Sequence, residues 1–178
     1  MSLALALPRA ATPWSRLAVW LTRHLGAFGV TAVLALGGVG PLLAQCAPAP
    51  APSAQQQVVD LTNARRAAAG LPALTVDGRL SNAAQDHSND QAARDRMSHT
   101  GSNGSNAGQR ITNAGYRWAS YGENVAAGYS SATAVMDGWM GSSGHRANIL
   151  GQFTNVGVGL AYAADGTPYW TMVVARPG

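Results

Sequence analysis

The sequence has 178 residues, 47% of them hydrophobic and 11% charged, with a formal net charge of +4; this length fits one domain plus a leading segment. Every basic residue is arginine, and Arg9, Arg16 and Arg23 precede the first long apolar stretch, so the rest of the chain sets nine arginines against eight acids. That near-neutral balance excludes nucleic-acid binding as a reading of the net charge, and the single cysteine, Cys46, excludes an intramolecular disulfide, leaving the domain to be held by its core.

Residues 27–44, AFGVTAVLALGGVGPLLA, carry no charge and follow Arg16, Arg23 and His24. A positive flank, an apolar run and then small residues are the plan of a secretory signal peptide, so residues 1–46 read as an export segment. An uncleaved membrane anchor is one alternative, because the run is just long enough to cross a bilayer. Lipid attachment at Cys46 is another, although Gln45 stands where a small residue is expected. A membrane partner follows only from these two alternatives. Alternating Ala and Pro make residues 47–56 an extended linker, which leaves 57–178 as the domain.

Ser53 reads as the N-cap of a helix from about Ala54 to Ala69, stopped by Gly70 and Pro72. Asp77 caps a second helix predicted to run to about Met97, with Leu80, Ala83, Ala84 and His87 on one face. Residues 98–106, SHTGSNGSN, are a loop by composition, and a short helix follows near Ala107 to Ala114. Ser131 caps another helix whose apolar face is Ala132, Val135, Met136 and Trp139. Its end reads as Gly141-Ser-Ser-Gly144, a glycine turn. Val156, Val158, Leu160 and Tyr162 alternate as a strand. Asp165-Gly166 turns the chain, and Tyr169 to Ala175 returns. Helices first and a hairpin last give an α+β fold, with helices covering an antiparallel sheet.

Three histidines fall in the domain, His87, His99 and His145, with the only glutamate of the chain, Glu123. Glu123 sits in a non-helical stretch, Gly122-Glu123-Asn124, which suggests a specific contact; the plainer reading is a carboxylate that accepts backbone N–H bonds. His99 lies in a Gly/Ser-rich loop, and His145 follows Gly144, so neither has an evident packing duty. Two imidazoles and a carboxylate can hold Zn2+ or another divalent first-row cation. The same groups can serve as general acid and base. Alternatively, His145 complements the negative end of the preceding helix. His87, on the inner face of its helix, reads as a core histidine with a satisfied hydrogen bond. His-Glu-x-x-His and Gly-x-Ser-x-Gly are both absent, and Cys46 lies outside the domain, a poor position for a nucleophile.

In order along the chain, Asn63-x-x-Arg66 with Gly70-Leu71-Pro72, Ala83-Ala84 to His87, Ser98-His99-Thr100-Gly101, Gly122-Glu123-Asn124, Trp139 with Gly144-His145-Arg146-Ala147-Asn148, and Phe153 to Gly159 resemble the CAP superfamily of cysteine-rich secretory, antigen 5 and pathogenesis-related proteins, in its bacterial form. The resemblance implies a single-domain α-β-α sandwich and a secreted or cell-envelope location. It also implies a cleft holding two histidines and two acids, of which His99, Glu123 and His145 match three. The second acid is missing: Met140-Gly141-Ser142-Ser143 follows Trp139, and Asp137 precedes it. A cleft short of one carboxylate binds a divalent metal less strongly. The expectation is an extracellular binding module with a His-Glu-His cleft for a divalent cation and a lipid, glycan or cell-envelope ligand. A metal-assisted or His/Glu-based hydrolase and a structural envelope module are the alternatives.

Overall fold

The computed structural model describes residues 51–178; the export segment and the start of the linker lie outside the described residues. Helix α1 spans Ala54–Ala68, and the Ser53 hydroxyl caps it by accepting from the Gln56 backbone N–H at 3.1 Å. It therefore begins inside the stretch assigned to the linker. Strand β1, Thr75–Val76, leads into α2, Gly78–Ala93, capped by Asp77. This helix ends before Met97, because the chain turns at Asp95, which has φ 47°. Then come α3 (Ala107–Asn113), β2 (Trp118–Ala127), α4 (Ala132–Gly141), α5 (Ser143–Ile149), β3 (Asn155–Tyr162) and β4 (Pro168–Pro177). Among the described residues no helix is long and apolar enough to cross a membrane.

The four strands form one sheet in the order β1-β3-β4-β2. β4 pairs antiparallel with both β3 and β2, as the alternating hairpin pattern requires. The two-residue β1 adds a parallel edge to β3, so the sheet is mixed rather than wholly antiparallel. Period-two alternation along β4 divides the core. Trp170, Met172 and Val174 pack with Val58 and Val59 of α1, Val135, Met136 and Trp139 of α4, and Ile149 of α5. Val173 and Ala175 pack on the opposite side with Leu80, Ala83 and Ala84 of α2 and Ile111 of α3. The result is the expected α-β-α sandwich. α2 lies so close to the sheet that a Cβ on Gly157 would collide with the backbone of Leu80 and Ser81; only glycine fits there.

Arg66 of α1 is buried, 1% exposed, with its guanidinium against four carbonyls. It donates to Pro72 O at 2.9 Å, Ile149 O at 2.9 Å, Gly151 O at 2.8 Å and Phe153 O at 3.4 Å. One side chain thus joins α1 to the chain leaving α5, and burial lowers its pKa from the ordinary arginine value.

Candidate functional site around His99, Glu123 and His145

Consecutive residues of a strand point to opposite faces, and β2 uses this to serve two layers. Glu123 faces α3, where Arg110 reaches it; Asn124 faces α5, where its Nδ2 donates to His145 O at 3.1 Å. Asn148 of α5 completes the brace, its Nδ2 donating to Glu123 O at 3.1 Å and to Asn124 Oδ1 at 2.8 Å. Gly122 makes room for this side chain: a Cβ there would stand 2.5 Å from Asn148 Oδ1. The Gly-Glu-Asn sequence is thus a spacer, a carboxylate and a brace, each aimed by strand geometry.

His99 and Glu123 meet, with Nδ1 2.8 Å from Oε1. The second oxygen of Glu123 accepts from Arg110 Nη2 at 2.6 Å. The Glu123 side chain is 4% exposed and the His99 ring 59% exposed, so a buried carboxylate carries an open imidazole. Arg110 also donates to Ser105 O at 2.8 Å and His99 O at 3.1 Å, fixing the loop that carries His99. Burial alone would raise the Glu123 pKa, but the His99 hydrogen bond and the Arg110 charge outweigh it and hold the carboxyl below its ordinary value. The Glu123 hydrogen bond raises the His99 pKa above 6.5. An anionic Glu123 makes Nδ1–H the donor, which leaves Nε2 of neutral His99 with a free lone pair.

His145 lies within α5, not after a glycine turn at the end of α4. Ser142 ends α4 and starts α5 with extended backbone (φ −99°, ψ 126°), so the chain changes direction and resumes a helix at once. His145 thus sits in the first turn of α5, four positions after Gly141, the last residue of α4. Burial, then the charge of His99, lowers its pKa, which keeps it a neutral imidazole at pH 7 and places it within the field of His99. Its ring makes no hydrogen bond to Glu123. Among the described residues no group of three or more His, Cys, Asp and Glu side chains is placed to hold a metal ion. Asp137 pairs instead with Arg65 at 2.9 Å on an exposed surface.

Sequence reasoning missed Arg110, Asn124 and Asn148 as site residues. Arg110 lies on a short helix 13 positions before Glu123 with no local signal; the asparagines stand beside singled-out residues and owe their roles to the strand pairing. His87 is only half as expected: Nε2 donates to Ser98 O at 2.7 Å, while Nδ1 is buried without a partner.

Residues 59–174 match the Cysteine-rich secretory protein family, CAP. YkwD of Bacillus subtilis strain 168 is 35% identical over 126 residues, covering 70% of this chain and 48% of its own. The membrane protein YlbC of the same strain is 31% identical over 109 residues, covering 61% and 32%. The chain thus spans half or less of the curated relatives it matches. Among solved structures, an extracellular protein containing a SCP domain from Bacillus anthracis superposes with a TM-score of 0.63 at 35% identity, covering 69% of this chain and 40% of that one. An outer surface protein of Borrelia burgdorferi superposes with a TM-score of 0.65 at 16% identity, covering 71% and 97%, a likeness of fold alone. With nearly two thirds of its length matched by the family and the α-β-α sandwich in place, the chain belongs to the cysteine-rich secretory protein (CAP) family.

Proposed function

We propose that this protein is a secreted binding module that takes a divalent first-row cation, zinc by preference, between His99 and His145. The observation that carries the reading is the 2.8 Å contact of His99 Nδ1 with Glu123 Oε1. A carboxylate that fixes one ring nitrogen turns the other outward and raises its basicity, the arrangement metal-ligating histidines use. Both oxygens of Glu123 are already engaged, by His99 and Arg110, so Glu123 serves as the orienting partner and the two imidazoles as the ligands. With two neutral nitrogen donors and no free carboxylate, the affinity is modest, and open coordination positions remain for a ligand of the cell envelope. Secretion rests on the charge and apolar pattern of residues 1–46 and agrees with the extracellular character of the Bacillus anthracis protein that superposes at 35% identity. Histidine-ring NMR during zinc addition tests the site. The His99 and His145 signals should shift together and saturate while His87 stays still; independent or non-saturating shifts would contradict it.

A second reading rests on the same contact: an imidazole oriented by a carboxylate is also a general base. Hydrolysis of a polymer substrate in chelator, abolished by Glu123→Gln, would favour it over cation binding.

A further inference from the structure

Ser98, the residue before His99, is gripped by α2 in both directions. Its carbonyl accepts from His87 Nε2 at 2.7 Å, and its N–H donates to Gln91 Oε1 at 3.0 Å. His87 and Gln91 stand one helical turn apart on the inner face of α2, and they are 1% and 0% exposed. The Gln91 amide cannot turn round, because its Nε2 donates to Thr171 Oγ1 at 3.1 Å, where Ser88 Oγ also reaches at 3.0 Å. Thr171 is a fully buried residue of β4. The grip on Ser98 is thus anchored in the sheet rather than in the loop.

Past His99 the loop is tied by Asp90 to the Ser102 N–H and by Arg110 to Ser105 O. Before His99, among the described residues, His87 and Gln91 alone bond the Ser98 main chain. This placement has a cost, since His87 Nδ1 is left buried without a partner, and such an atom calls for a reason. The donor to Ser98 O supplies one. Burial lowers the His87 pKa from 6.5, against the charge of Glu123, so the ring is neutral at pH 7. It holds the carbonyl without adding a positive charge behind a site meant for a cation, as a lysine or arginine donor would. We infer that His87 and Gln91 are positioning residues: acting through Ser98, they set where the His99 ring meets Glu123. Their bearing on zinc rests on the function proposed above; their placing of the ring does not.

The test uses the full chain with His87→Gln, His87→Asn and Gln91→Met. Glutamine carries its amide nitrogen where Nε2 stands and keeps the donor for Ser98 O; asparagine carries it at the Nδ1 position and loses that donor. Ring-nitrogen NMR in metal-free alkaline buffer should show His99 as the Nδ1–H tautomer in the wild type and in His87→Gln. In His87→Asn and Gln91→Met that tautomer should give way to a mixture, and zinc should bind about tenfold more weakly. A purely structural role would lower Tm and leave the tautomer unchanged. That result in the folded variants would overturn the inference, as would equal effects of glutamine and asparagine at position 87. Should His87→Asn not fold, Gln91→Met decides through the same signal. A wild type that binds no zinc would end the cation reading, while the tautomer would still decide the role of His87 and Gln91.

Discussion

Arg110 Nη2 stands 2.6 Å from Glu123 Oε2, in a pair whose side chains are 12% and 4% exposed. A carboxylate this far from water is stable as an anion only while its partners stay. Arg110→Met should therefore cost about 2–4 kcal/mol, since His99 still compensates part of the charge. The double variant Arg110→Met/Glu123→Gln should recover part of the loss. Urea denaturation of the three proteins checks both; a loss below about 0.5 kcal/mol for Arg110→Met would mean that the pair behaves as a surface pair.

The His99–Glu123 contact predicts a pH window for stability. The Glu123 hydrogen bond raises the folded pKa of His99 above 6.5, so its contribution is complete below 6.5 and fades as pH rises through the folded value. The folded pKa of Glu123 is lowered below 4.5 by His99 and Arg110, against the opposing effect of burial, so its contribution is present above 4.5 and lost as pH falls through the folded value. The Tm difference between wild type and His99→Gln should be greatest between these limits and shrink in alkali. A difference that grows with alkali would contradict the ion pair.

Zinc affinity should move the other way with pH. Protons compete for the His99 ring nitrogen a cation needs, and the Glu123 contact strengthens that competition by raising the His99 pKa. Binding should tighten as pH rises through and above 6.5; calorimetry at several pH values reads this, and a flat profile would count against His99 as a ligand.

Gly122→Ala tests the brace rather than the carboxylate. A methyl group 2.5 Å from Asn148 Oδ1 forces that side chain away, and its bonds to Glu123 O and Asn124 Oδ1 go with it. The expected cost is about 1–3 kcal/mol, with weakened zinc binding because Asn124 no longer holds the His145 backbone in place. Unchanged stability and binding would show that α5 is positioned by its core contacts alone.

Arg66→Met should be more damaging than Gly122→Ala, at least about 3 kcal/mol by denaturation, because four carbonyls lose their donor in a buried setting. A Tm within about a degree of wild type would show that water replaces the guanidinium.

The fold was legible where chemistry is local. Ser53, Asp77 and Ser131 each cap the helix that follows, and the alternation in β3 and β4 announces the central hairpin. The start of α5 was hidden because Gly141-Ser-Ser-Gly144 carries strong breaker signals, while packing of Ile149 against the core holds a helix there. The parallel β1 is two residues long, too short for any pattern to reveal. His99 and Glu123 stood out by composition, a loop histidine and a lone glutamate. Their contact could not be read, since it depends on β2 facing α3, and Arg110 was invisible for the same reason.

The proposed function requires that His99 and His145 share one cation. Calorimetric titration of wild type and of His99→Ala/His145→Ala with zinc tests it most directly. One ion should bind saturably to the wild type and none to the double variant. No binding in either protein, or equal binding in both, would contradict it and leave the His99–Glu123–Arg110 array as a brace between β2 and α3.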